Sequence, residues 1–367
     1  RAPQSKFFGL GGAAMEAAGC ERIVRAEEIA VMGITEVVRH MPRIYREYRR
    51  LVRSIRARKP DVAVLIDFPD VNFRLARELK KLGVPVIYFV SPQLWAWKEH
   101  RIRWVRERVT RMLVIFPFEE SYYRQRGVDA QFVGHPLADL PLPAGTRQQF
   151  ASQHQLDPAK EWIGLLPGSR ARELRLNLPE MAAAADQLGT EYEYLLPAAA
   201  TLEPAWVRKM VTQNAARTDG IHVPIHIVSD ARSVLHHARA SVVASGTATV
   251  EAALIGNPFV AVYRLSRFSY AVASRLVSLP HVAMPNLIAG RRIVPEFIQN
   301  ELTPQNVVEA LRPLLKNGPP RSRMMEDLAQ VRSALHVSRD GPAQTAIECA
   351  ADWVLRVIAA PPVGGAE

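Results

Sequence analysis

The chain has 367 residues, 48% of them hydrophobic, and a formal net charge of +11. That length suits two ordinary domains, and the apolar content excludes a globally disordered chain. No apolar run approaches the roughly 20 residues that cross a bilayer as a helix. The two cysteines, Cys20 and Cys349, give neither a disulfide framework nor a Cys-based metal site, so a reducing cytoplasm is the expectation.

Taken in order, short apolar runs alternate with helical periodicity, the rhythm of βαβ units and parallel sheets. The chain opens on Arg1, and residues 6–12 read as a strand already in mid-domain, so an earlier part of that domain is expected to be missing from this sequence. Residues 37–58 read as a basic amphipathic helix. Val37, Met41, Ile44, Tyr45, Tyr48, Leu51, Val52 and Ile55 recur in steps of three and four between arginines. Such a helix suits an anionic membrane surface, or equally a core-packed helix with a solvated charged face. Strands follow at 62–66, 84–90 and 112–116, with helices at 72–82 and 118–126. The proline-rich stretch 139–145 reads as a linker. The rhythm then restarts with strands at 162–166, 192–196, 226–228, 240–244 and 259–263, and a last helix at 343–359. The expected division is 1–143, 144–340, a C-terminal helix at 341–360 returning to the first domain, and a disordered tail at 361–367.

Ligands in open α/β sheets sit beyond the carboxyl ends of the strands, and three segments meet that condition. Ser245-Gly246-Thr247-Ala248-Thr249-Val250-Glu251 joins a strand to a helix through small residues. Free N–H groups there favour phosphate, and Glu251, one helical turn past Thr247, can take the hydroxyls of a ribose. A capped helix with an early acid explains the same residues. Leu166-Pro167-Gly168-Ser169-Arg170 is a second such turn, with Arg170 offering a planar fork to diphosphate oxygens. Asp67 follows an apolar strand, where partial desolvation would raise its pKa and suit a general base. A turn-forming aspartate fits as well, with Asp70 as N-cap of the next helix. Trp95, Trp97 and His135 are candidates for a sugar- or lipid-facing surface, with packing and a turn histidine as their plain alternatives. Metal spacing among the histidines, a Walker A loop, a dinucleotide fingerprint and a nucleophile elbow are all missing from the sequence. Aromatic platforms on basic strands are missing too, so nucleic acid is not the expected partner.

Several of these segments stand in the order of a known family. They are Ile66-Asp67-Phe68-Pro69-Asp70, Ser91-Pro92-Gln93-Leu94-Trp95-Ala96-Trp97, Phe116-Pro117-Phe118-Glu119, Gly134-His135-Pro136, Pro167-Gly168-Ser169-Arg170, 244–251 and Met284-Pro285-Asn286. Together they resemble lipid-A-disaccharide synthase, a glycosyltransferase family of the GT-B fold. The resemblance implies an α/β protein of two tandem Rossmann-like domains, the first lacking its N-terminal βα unit. It implies an inverting transfer from UDP-2,3-diacylglucosamine to 2,3-diacylglucosamine 1-phosphate (lipid X), giving the lipid A disaccharide 1-phosphate and UDP. Asp67 is the implied base, and Ser169, Arg170, Thr247, Ala248, Glu251 and Asn286 the implied UDP residues. Trp95, Trp97 and His135 fall on the acceptor side. No metal or cofactor is implied. Peripheral attachment to the inner face of the inner membrane, through the basic helix, and a homodimer are expectations. A UDP-sugar 2-epimerase, another GT-B transferase, or an inactive truncated nucleotide-binding form are the alternative readings.

Overall fold

The computed structural model describes residues 1–29, 34–215, 222–266, 270, 279–337 and 344–359, with side chains of 28–41 and 215 outside the description. The expected tail at 361–367 lies outside the described residues, as do the side chains of Val37 and Met41.

The first half holds β1 (Phe8–Gly11), β2 (Glu21–Arg25), β3 (Ala63–Ile66), β4 (Val86–Phe89), β5 (Arg111–Val114) and β6 (Ala130–Phe132). All pairings are parallel, but β1 and β2 form a sheet of their own, while β3 to β6 form another in sequence order. Strand β3 is therefore an edge of its sheet, and Val64 and Ile66 on it are 42% and 51% exposed. The helices are α1 (Ala13–Ala17), α2 (Ala26–Ile29), α3 (Ile34–Arg58), α4 (Pro69–Lys81), α5 (Ile102–Arg108) and α6 (Pro117–Arg124). Helix α3 turns Leu51, Val52 and Ile55 into a core shared with Val24 of β2 and Phe73 and Leu79 of α4. Of the described stripe, Ile44, Tyr48, Leu51, Val52 and Ile55 thus pack inward, whereas Tyr45 is 57% exposed beside the outward Arg46, Arg49 and Arg53.

The second half holds α7 (Arg147–His154), β7 (Glu161–Leu166), α8 (Ala171–Leu188), β8 (Tyr192–Pro197), α9 (Pro204–Ala215), β9 (Ile225–Val228), α10 (Ala231–His237), β10 (Ala240–Ala244), α11 (Thr247–Ile255), β11 (Phe259–Tyr263), α12 (Met284–Ala289), β12 (Glu296–Ile298), α13 (Pro304–Leu315), α14 (Pro319–Ala334) and α15 (Ala346–Ala359). Its six strands are parallel, in the order β12-β11-β10-β7-β8-β9. Renumbered within the half, that is the doubly wound order 3-2-1-4-5-6 read from the β9 edge. The chain reverses direction across the sheet between β7 and β10, the switch point where such sheets bind ligands. Both faces are covered, so β7 and β10 read as continuous apolar runs rather than alternating ones. Edge strand β12 has three residues and no apolar run to announce it.

The halves are tied beyond the 139–145 stretch. His135 N–H donates to Leu335 O at 2.9 Å, and Ala346 N–H to Asp139 Oδ2 at 2.6 Å. Helix α15 sets Trp353 beneath the guanidinium of Arg111 on β5, 4.0 Å from the ring centre, while Arg1 pairs with Asp352.

Candidate active site

The register Val243↔Leu166 brings the carboxyl ends of β10 and β7 side by side, so the turns 167–170 and 245–247 flank the switch point together. Gly246 enters α11 at φ +145°, which side chains other than glycine rarely adopt. Thr249 Oγ1 and N–H both donate to the Gly246 carbonyl, at 2.7 and 3.1 Å, which fixes the first turn. The N–H groups of Thr247 and Ala248 have no acceptor among the described residues and stand at the positive end of the helix. Glu251 lies one turn further on, half-buried, and burial pushes its carboxyl above the ordinary range.

The second turn differs. Gly168 stands at φ +117°, and a Cβ on it would lie 2.4 Å from Glu173 Oε2. That oxygen accepts Ser169 N–H at 3.0 Å and Arg170 N–H at 3.3 Å, and Oε1 accepts the Arg170 guanidinium at 2.9 Å. Ser169 and Arg170 are otherwise exposed. Glu173 was not among the residues singled out from the sequence, although its place three residues past Arg170 is capping-box spacing.

Asn286 does not face an open surface. It is fully buried, and its Oδ1 accepts Ile293 N–H at 2.7 Å and Val294 N–H at 2.9 Å. Its Nδ2 donates to Val294 O at 2.9 Å and to Glu296 Oε1 at 2.6 Å. Glu296 in turn accepts Val282 N–H at 3.0 Å and Ala283 N–H at 2.9 Å, and Ser245 Oγ donates to Val282 O at 2.9 Å. Every polar atom of the amide is thus spent on the 282–296 loop behind Ser245. The sequence reading missed Glu296, whose partners lie ten or more residues away.

Across in the first half, Asp67 ends β3. Its side chain is exposed among the described residues. Its backbone is tightly held. Asp67 and Phe68 stand at φ +44° and +43°. The Asp67 carbonyl accepts Tyr88 OH at 2.6 Å and Asn72 Nδ2 at 2.7 Å, and its N–H donates to Phe89 O at 3.1 Å. Left-handed non-glycine residues cost about 1–3 kcal/mol each and persist where surrounding bonds enforce them. Val90, at the end of β4, is a third at φ +61°, and for a β-branched residue that is a marked departure. Asp70 does not cap α4. Phe68 occupies the N-cap with Pro69 behind it, and Asp70 pairs with Arg101 at 3.0 Å.

The 91–98 segment is organised by Glu119, which closes the Phe116-Pro117-Phe118-Glu119 segment but was given no role from the sequence. It is 1% exposed, its Oε1 accepts Ser91 Oγ at 2.5 Å and Trp95 Nε1 at 3.0 Å, and its Oε2 accepts Phe116 N–H at 3.1 Å. The clue in sequence was a glutamate two residues after Pro117, the capping position of a helix with proline at its first site. Trp95 packs edge-on against Phe118 at 5.1 Å, so it belongs to this interior. Trp97 is 44% exposed, with the Lys98 ammonium 3.8 Å from its ring centre, and remains open to a ligand. His135 is buried; its Nδ1 accepts Leu137 N–H at 3.2 Å and its ring meets Phe116, which makes it a turn histidine rather than a surface group.

Burial pushes the Glu119 carboxyl up to about 7, against the hydrogen bonds that favour its charged form. The native protein therefore keeps a proton between pH 4.5 and 7 that the unfolded chain releases, and this group's contribution falls as pH rises through that window. Glu119→Gln carries no such proton. The Tm advantage of the parent over the variant is expected to shrink from pH 5 to pH 8, and a constant difference would contradict the burial argument. His135 acts oppositely: burial lowers it to about 4, so its contribution is lost as pH falls from 6.5 toward 4.

On α3, Tyr45, Arg46, Arg49 and Arg53 line, with Pro42, a surface hollow of about 450 Å³. Arg56 and Arg58 are paired, to Glu78 and Glu21 at 2.6 Å. No described helix is long and apolar enough to cross a membrane.

Two Rossmann-like halves, with a doubly wound second sheet carrying two N–H-rich turns at its switch point, define a glycosyltransferase-type GT-B fold. The calicheamicin glycosyltransferase CalG4 shares it, with a TM-score of 0.56 and 17% identity over 97% of this chain and 91% of its own. So does the UDP-GlcNAc 2-epimerase of Neisseria meningitidis, solved with UDP-GlcNAc, with a TM-score of 0.59 and 12% identity over 96% and 100%. Those likenesses establish the fold alone. In sequence, the family model described as lipid-A-disaccharide synthetase matches residues 1–348. The lipid-A-disaccharide synthase of Acidobacterium capsulatum is 62% identical over 341 residues, 90% of this chain and 84% of its own. The chain belongs to the lipid-A-disaccharide synthetase family and is an enzyme, a glycosyltransferase of lipid A biosynthesis.

Proposed function

We propose that this protein transfers the 2,3-diacylglucosaminyl group of its UDP donor to the 6-hydroxyl of 2,3-diacylglucosamine 1-phosphate. The glycosidic bond forms as the bond from the sugar to the diphosphate breaks, with inversion. The hydroxyl proton passes to Asp67 and the electron pair leaves with UDP. The observation that carries this reading, beside family membership, is the meeting of two anion-type turns at the β7/β10 switch point. Thr247 and Ala248 N–H groups, Ser169 and Arg170 receive the diphosphate and stabilise its departing charge. Glu251 takes the ribose hydroxyls, and Asn286 holds the loop behind Ser245. Trp97 faces the acceptor.

Glu251→Ala tests the donor half. A lost charged hydrogen bond is worth about 1.5–3 kcal/mol, so UDP binding is expected to weaken by about tenfold or more. Uridine should weaken equally, because the ribose is common to both. Unchanged affinity for either ligand would remove Glu251 from the ribose.

Both substrates carry acyl chains, which calls for contact with a membrane. In this reading α3 docks by its outward arginines on the anionic inner face, since Leu51, Val52 and Ile55 are committed to the core. Replacing Arg46, Arg49 and Arg53 with alanine should cost about 1 kcal/mol per arginine on anionic vesicles and nothing on zwitterionic ones. Equal binding of parent and variant to anionic vesicles would sink the docking surface.

A further inference from the structure

The two turns at the switch point are in different states. Among the described residues the donors at Thr247 and Ala248 have no acceptor, whereas those at Ser169 and Arg170 already hold an anion, the chain's own Glu173. One carboxylate oxygen spans two backbone N–H groups and the other takes the guanidinium, much as a phosphate would sit at a helix N-terminus. Gly168 makes room for it: any Cβ there would collide with the Glu173 Cβ at 2.6 Å and its Oε2 at 2.4 Å. Arg170 makes its ion pair with Glu173 while its side chain stays 73% exposed, so the guanidinium is held loosely and can be turned to another anion.

We propose that Glu173 is an internal stand-in for the donor's diphosphate, filling its seat in the free enzyme and swinging out when UDP-sugar binds. This rests on the reading of 167–170 as the diphosphate seat. A diphosphate entering beside an unmoved carboxylate would meet a like charge across hydrogen-bonding distance, so the two compete for Ser169 N–H, Arg170 N–H and the guanidinium. The competition has two consequences. UDP binds less tightly than to an empty seat, and after transfer the tethered carboxylate reclaims the donors and helps UDP leave. A stand-in carboxylate also keeps Arg170 and the glycine turn in their binding arrangement while no donor is present, which limits the reordering needed on binding.

Calorimetric titration of UDP and of uridine into the parent, Glu173→Gln, Glu173→Asp and Arg170→Ala tests this. Glutamine keeps a capping carbonyl but loses the charge, and aspartate keeps the charge but falls short of the seat. Both variants are expected to bind UDP more tightly, glutamine by on the order of tenfold, with uridine unchanged. UDP product inhibition should deepen in parallel. Loss of a purely structural cap would lower the Tm of both variants without tightening UDP. UDP affinity that is unchanged or weaker in Glu173→Gln and Glu173→Asp, while Arg170→Ala still weakens it, overturns the stand-in. UDP affinity unchanged in Arg170→Ala overturns instead the diphosphate seat on which it rests.

Discussion

Asp67→Asn is expected to lower the rate of sugar transfer by about 10²–10⁴-fold, the usual worth of a general base, and to leave UDP affinity where it was. Asparagine tolerates the left-handed conformation as aspartate does, so the φ of +44° and the bonds from Tyr88 and Asn72 to the residue 67 carbonyl survive the change. Only the proton acceptor is lost. The backbone that carries this carboxylate is clamped at three points, from β4 through Tyr88 and Phe89 and from α4 through Asn72. Holding the acceptor group in the attacking geometry is itself a large part of a base's contribution. Steady-state transfer kinetics with a parallel UDP titration check the prediction. Retained turnover removes Asp67 from the base role, whereas lost UDP affinity would mean that the variant disturbs more than the acceptor side.

Asn286→Ala is expected to destabilise the second half by about 3 kcal/mol or more. Truncation strips the partners from two buried N–H groups, at Ile293 and Val294, and takes the donor from the buried carboxylate of Glu296. Each orphaned neutral group costs about 1–3 kcal/mol, and a charged one more. The loss should pass through Glu296 to the Val282 and Ala283 N–H groups and so to Ser245, which leans on Val282. UDP affinity is therefore expected to fall along with thermal stability. A Tm shift of less than a degree or two would show that the network carries little, and weakened UDP binding without any Tm shift would restore Asn286 to direct donor contact.

What the sequence made legible follows the range of the interactions. The turn after β10 could be read because strand, small residues and helix are local, and a change of period from continuous apolar to helical marks the boundary. The strands 240–244 and 259–263 stand as expected, being apolar runs buried on both faces. The lesser features escaped for physical reasons. Strand β12 has three residues at a sheet edge and no period to detect. Asn286 carries a motif-like position, but its burial is set by Glu296 and the loop between, which spacing does not reveal. Asp67 was expected to be desolvated by its strand, yet exposure depends on which strand lies beside it, and pairing is a tertiary fact. The α3 stripe fitted two environments equally until Leu51, Val52 and Ile55 were placed in the core. Glu119 and Glu173 share one cause: each occupies the third position of a helix, where a glutamate reads as a routine cap, and only geometry shows what else it holds.

Joining two acylated sugars, rather than binding UDP alone, is the activity proposed for this chain. The direct measurement mixes the purified protein with UDP-2,3-diacylglucosamine and 2,3-diacylglucosamine 1-phosphate and follows both products by mass spectrometry. Tetraacyl disaccharide 1-phosphate and UDP are expected in a one-to-one ratio, both lost together in Asp67→Asn. UDP released without disaccharide, or turnover of a soluble UDP-sugar in place of the acylated pair, would contradict it.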